Sequence, residues 1–77
     1  MYPEGWLMDP EGKSLLYFEK DPMNPMYEGY VGSWLISGDG FKQFRYRKRI
    51  SKAQALAQWT HLSSQGWSLV RENEQAA

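Results

Sequence analysis

Short alternating apolar runs, followed by one stripe of helical spacing, give this chain its outline. Gly5-Trp6-Leu7-Met8 reads as a strand, and Asp9-Pro10-Glu11-Gly12 places proline and glycine where a tight turn wants them, so a hairpin is predicted. The return strand runs from Lys13 to Lys20. It carries Leu16 and Phe18 on one face and Leu15 and Tyr17 on the other, which leaves both faces candidates for cover. Asp21-Pro22-Met23-Asn24-Pro25 contains two prolines that cannot donate to a ladder, so it is expected to be a loop.

Two further β-rich runs, Tyr27 to Ile36 and Phe41 to Ile50, flank Ser37-Gly38-Asp39-Gly40, a strong turn signal, and are expected to form the central hairpin. If Ile36 pairs with Phe41, then Leu35, Val31 and Tyr27 share a face with Phe44, Tyr46 and Ile50, which becomes the predicted core side. The same register sets Trp34, Gly32, Tyr30 and Glu28 opposite Gln43, Arg45, Arg47 and Arg49. That second face is aromatic and cationic together.

Ser51-Lys52-Ala53-Gln54 fits a capping box, with Ile50 placed to staple onto Ala55. A helix is predicted to start there. Ala55, Leu56, Trp59 and Leu62 recur at steps of three and four, giving an apolar stripe that can lie on a sheet, and Gly66 closes the helix. Trp67-Ser68-Leu69-Val70-Arg71 alternates as a last strand. The fold class is therefore α+β, a small, mainly antiparallel sheet in the order β-β-β-β-α-β with one helix packed on one face. The 77 residues form a single domain with its core at 5–71 and a polar tail at 72–77 expected to fray.

Composition narrows the class. Apolar residues at 42% and aromatics at 16%, four tryptophans among them, mark a folding chain and not a disordered one. No apolar run exceeds the four residues Leu15 to Phe18, far short of the roughly 20 needed to cross a bilayer, and the N-terminus does not read as an export signal. The absence of cysteine removes a disulfide framework, a thiol nucleophile and thiolate metal ligation, and it fits a cytoplasmic location. Stability has to come from aromatic packing.

The net charge of zero hides an asymmetry. Residues 1–40 hold seven acids against two lysines, net minus five, and residues 41–77 hold seven bases against two glutamates, net plus five. Lys42, Arg45, Arg47, Lys48, Arg49 and Lys52 crowd into twelve positions with no acid among them. On a strand, Arg45, Arg47 and Arg49 would project from one face at steps of about 6–7 Å, beside Tyr30 and Trp34. Three readings stay open. The face is satisfied internally, with Arg49 on Glu28, Arg47 beside Tyr30 and Arg45 passing over Gly32 toward Trp34. Alternatively it binds a protein partner or a second copy, since Trp, Tyr and Arg are the residues of interface hot spots. The third reading is single-stranded RNA or DNA held by stacking and phosphate contacts, which zero net charge disfavours. Of the tryptophans, Trp59 is assigned to the core, Trp6 and Trp67 to core or edge cover, and Trp34 alone is placed outward.

Catalytic chemistry is poorly provided for. The one histidine, His61, falls on the polar side of the helix, and Ser63 and Ser64 next to it lack an oriented base. Turn acids Asp9, Glu11 and Asp39 are too few for a calcium loop, and Gly38-Asp39-Gly40 lacks the lysine and following helix of a phosphate loop. The expectation is a non-enzymatic chain with no cofactor, no metal and no small-molecule substrate.

Gly5-Trp6-Leu7, then Pro10-Glu11-Gly12-Lys13 with Leu15-Leu16-Tyr17-Phe18, then Arg47 and Arg49 leading into Ala55, Trp59, Leu62 and Gly66-Trp67, resemble a known set of sequences. The chain is similar, from Gly5 to Trp67, to a family of short uncharacterised proteins, a domain of unknown function of marine picocyanobacteria and their phages. The run Ala55-x3-Trp59-x2-Leu62-x3-Gly66-Trp67 is the most specific part, and Pro22 to Met26 aligns least. The resemblance implies a cytoplasmic, small accessory protein and transfers no catalytic residue.

Overall fold

Four strands follow one another as antiparallel neighbours before the chain crosses back through a helix and adds a fifth strand beside the first. The computed structural model describes residues 3–70; Arg71 and the tail expected at 72–77 lie outside them. The elements are β1 (Gly5–Met8), β2 (Ser14–Lys20), β3 (Glu28–Ile36), β4 (Lys42–Ser51), α1 (Lys52–Ser64) and β5 (Ser68–Val70). Their order in the sheet is β4-β3-β2-β1-β5, and every pairing is antiparallel. The α+β class and the β-β-β-β-α-β order expected from the sequence are those observed.

Each connection is held by backbone bonds that its residue types permit. In the first turn the Gly12 N–H donates to the Asp9 carbonyl at 3.0 Å, with Gly12 at φ +71°, a conformation that costs glycine little. In the double-proline loop the buried Asp21 is the organiser. Its carboxylate accepts from the Met23 N–H at 2.9 Å, its carbonyl accepts from the Asn24 N–H at 3.0 Å, and its own N–H donates to Glu28 at 2.9 Å. Between β3 and β4 the Ser37 N–H donates to Phe41 at 2.8 Å, so the first ladder pair is Ile36 with Lys42 and not Ile36 with Phe41.

That one-residue slip would have exchanged the faces of all of β4. A β-bulge between Ser33 and Trp34 repairs it, because Trp34 pairs with Phe44 while Ser33 pairs with Tyr46 and Arg45 is the extra residue. Beyond the bulge Val31 and Ile50 face the core as predicted. The rest of the predicted core side does not join it: Phe44, before the bulge, turns to the opposite face, Leu35 and Tyr46 keep the helix side but are exposed, and Tyr27 falls outside β3 at 67% exposure.

The helix begins as expected. The Gln54 N–H donates to Ser51 Oγ at 3.2 Å and the Ser51 N–H donates to Gln54 Oε1 at 3.1 Å, a complete capping box. It ends with Gly66 at φ +94°, whose N–H donates to Ser63, while the Trp67 N–H returns to Leu62 at 3.1 Å. The core lies between α1 and one face of the sheet: Leu7, Leu16, Phe18, Val31 and Ile50 from the strands, Ala55 from the helix, with Trp59, Leu62 and Trp67 packed around them. Phe18 meets Trp59 edge to face at 5.2 Å. Leu56, expected in the stripe, is 40% exposed and borders a groove with Tyr27 instead.

Candidate interaction face

Alternation along the strands carries every second residue to the side of the sheet away from α1. Cross-strand pairing lines them up in rows. Met8, Leu15, Trp34 and Phe44 form one, Trp6, Tyr17, Gly32 and Arg47 a second, and Glu19, Tyr30 and Arg49 a third. No helix or strand among the described residues covers these rows, yet Leu15 is 2% exposed. Aromatic side chains supply the cover.

Trp6 stands against Tyr17 with ring centroids 4.6 Å apart and against Trp34 at 4.9 Å, and Trp34 meets Phe44 at 5.5 Å. The result is a contiguous aromatic band across β1, β2, β3 and β4. Interplanar angles of 35°, 50° and 66° show that the rings lean on one another and do not lie parallel. Trp34 reaches Trp6 by lying over Gly32, where a Cβ would come within 2.8 Å of the indole. Trp34 is thus on the outward face, as predicted, but half-buried there, and Trp6 shares that face with it.

Beside the band, Tyr30 is flanked by two guanidinium groups. Arg47 Cζ sits 4.1 Å from its ring centroid, and Arg49 Cζ 5.6 Å, with Arg49 Nη1 donating to the Tyr30 hydroxyl at 3.1 Å. Both are also ion-paired to the acidic half of the chain. Arg47 Nη2 binds Glu19 Oε1, and Arg49 Nη1 binds Asp21 Oδ2 at 2.9 Å. The bond to Asp21 is the main cause that raises the Arg49 pKa above its ordinary value. Glu28, the partner expected for Arg49, does not take that place; it pairs opposite Ser51 and adds only the smallest contribution to that shift.

The eight bases and aromatics singled out from the sequence are therefore divided. Tyr30, Trp34, Arg47 and Arg49 come together, and Lys42 lies on the same face opposite Ile36 at the turn end. Arg45 occupies the bulge with its guanidinium 5.7 Å from the Tyr46 ring and not over Gly32; Lys48, opposite Val31, faces the helix side, and Lys52 opens α1. Trp6, Tyr17, Phe44, Glu19 and Asp21 were not anticipated. The signal for the two acids was present in the meander order, since placing β2 next to β3 sets Glu19 opposite Tyr30.

Elsewhere little converges. His61 is exposed, and no group of three or more His, Cys, Asp or Glu side chains among the described residues could hold a metal ion. A groove of about 730 Å³ opens between the two hairpin turns, lined by Gly12, Lys13, Leu35, Ile36 and Phe41, with Lys13 paired to Glu11 at 3.3 Å. In the β3–β4 turn the Asp39 carboxylate has a lowered pKa, first from the Ser37 hydroxyl and then from the Phe41 N–H at 3.2 Å. No helix among the described residues is long and apolar enough to cross a membrane.

A family model described as "Protein of unknown function (DUF1651)" matches residues 4–73. No curated protein and no solved structure matches the chain.

Proposed function

Because the chain belongs to the DUF1651 family of proteins of unknown function, which brings no activity with it, we propose from the geometry that it is a small non-enzymatic interaction module whose open sheet face docks a protein partner. The observation that carries this reading is the band Trp6–Tyr17–Trp34–Phe44, an aromatic surface spanning four strands with no element of the described fold above it. Surfaces of that kind, rich in Trp, Tyr and Arg and poor in free charge, are where interface energy concentrates. The partner that fits is a protein presenting an apolar helix or sheet face. The cytoplasmic, picocyanobacterial or phage setting implied by the sequence resemblance is part of the same proposal.

Single-stranded nucleic acid is disfavoured by two features of the face. Arg47 and Arg49 already spend their charge on Glu19 and Asp21, and the tilted rings of the band offer no row of parallel planes between which bases could stack. A photo-crosslinking residue in place of Tyr17, expressed in the native host, tests the reading. A discrete protein adduct that Trp34→Ala abolishes supports it, with light scattering of the purified chain telling a second copy from a different protein. Adducts to nucleic acid alone, or none, would sink it.

A further inference from the structure

We propose that the outer edge of β4 is a strand-addition site for an acidic, extended segment of a partner protein. This surface is separate from the aromatic face, and either can hold without the other. β4 ends the sheet: β3 takes one side of it and no strand among the described residues takes the other. Its residues from Lys42 to Arg49 are all exposed.

The ladder states which backbone groups are available. The Lys52 N–H donates to the Tyr27 carbonyl at 2.8 Å, which makes Glu28 and Ser51 a non-hydrogen-bonded pair. The bonded pairs are then Gly29 with Ile50 and Val31 with Lys48, so the N–H and C=O groups of Arg47 and Arg49 point away from the sheet. Arg45 in the bulge limits this template at one end and α1 limits it at the other. Because the Ser51 N–H is taken by Gln54 Oε1, Tyr46 to Ile50 remain, a regular stretch of about 17 Å.

Charge selects the occupant. Lys48 within this stretch, and Arg45 and Lys52 at its two ends, have no carboxylate within 4.0 Å among the described residues. A second copy of β4 added to this edge would set bases against bases, which is how lysine-bearing edges prevent self-pairing. An acidic strand turns the same charges into cross-strand attraction while its backbone meets the outward N–H and C=O groups. A nucleic-acid strand could meet the charges but has no alternating amides to meet the edge.

The probe is a fluorescent eight-residue peptide of alternating glutamate and valine, titrated by anisotropy against the full chain and followed by amide hydrogen exchange. Binding at low salt that weakens roughly tenfold at high salt is expected, with the Arg47 and Arg49 amides gaining protection. Lys48→Glu, an exposed residue on the side opposite the aromatic band, should weaken binding by a further roughly tenfold while leaving the melting temperature intact. Several results would overturn the proposal: no binding, equal binding of a lysine-valine peptide or of oligothymidylate, binding that leaves those two amides unprotected, or their protection in a peptide-free dimer. Crosslinking from Tyr17 is indifferent to all of these, so failure here and failure of the face reading are told apart.

Discussion

The six-membered ring of the Trp34 indole lies over Gly32, so that a methyl group on Gly32 would stand 2.8 Å from its carbons Cζ3 and Cη2. In an ordinary strand, alanine for glycine stabilises by about 0.5–1 kcal/mol through the unfolded chain. Here the sign is reversed, because the indole cannot yield without losing Trp6 and Phe44. Gly32→Ala is expected to destabilise by about 1–3 kcal/mol, the range for overpacking, and to lift Trp34 off the sheet. Urea titration measures the first, and a red shift in tryptophan emission reports the second. A variant as stable as the parent, with unchanged emission, would mean that the ring is not where the structure puts it.

Asp21 serves two elements at once, holding the Met23 N–H in the loop and Arg49 at the end of β4. Its side chain is nearly buried while that of Arg49 is half exposed, at 9% and 48% accessibility. Asp21→Ala therefore costs about 0.5–1.5 kcal/mol, chiefly by removing the acceptor of the part-buried Met23 N–H bond. The ion pair itself contributes less. A double-mutant cycle between Asp21→Asn and Arg49→Met should give a weak coupling that shrinks in salt. A strong coupling that salt leaves unchanged would show that the pair is shielded from solvent.

Which parts of this arrangement could be read from the residues has a physical explanation. Capping at Ser51, closure at Gly66 and the proline loop are local, each decided by side chains within a few positions, and each stands as expected. The face of β2 was undecidable because Leu15 and Tyr17 are as apolar as Leu16 and Phe18; only the meander, with α1 landing on Phe18, separates them. The bulge at Arg45 was invisible for a similar reason. Ile36–Phe41 and Ile36–Lys42 are both acceptable closures of a glycine-rich turn, and Val31 and Ile50 reach the core in either, in the first without a bulge and in the second only with one. Internal pairing of the arginines was anticipated as one reading, but with Glu28; the actual acids, Glu19 and Asp21, come from β2 and the start of the loop, one strand farther away.

The turn between β3 and β4 carries an acid-sensitive element. The Asp39 carboxylate accepts from the Ser37 hydroxyl and the Phe41 N–H, and both hold its pKa below the ordinary value. A depressed carboxylate stabilises the folded state above its unfolded pKa, about 3.9, and that contribution is lost as pH falls through the folded value. Ser37→Ala removes the larger cause. The Asp39 titration, followed by NMR, should then move upward toward the ordinary carboxylate range, and the turn amides at Gly40 and Phe41 should begin to exchange at a higher pH than in the parent. An unmoved titration would exclude the Ser37 hydroxyl as the cause.

Gly66 couples the end of α1 to the first hairpin. It sits at φ +94°, and a Cβ there would lie 3.1 Å from Pro10 Cγ. Two costs follow for Gly66→Ala, and they can be separated. The backbone conformation alone disfavours an L-residue by about 1–2 kcal/mol, whereas the contact with Pro10 depends on a ring atom that Pro10→Ala removes. The single variant should lose more stability than the backbone figure, and the double variant should recover the steric part only, so that the two substitutions couple favourably in a denaturant-based cycle. Purely additive losses would mean that the turn at Pro10 moves aside freely. In that case the helix end and the β1–β2 turn would not be packed as one unit, and α1 would be held in place by Trp59, Leu62 and Trp67 on the core side alone.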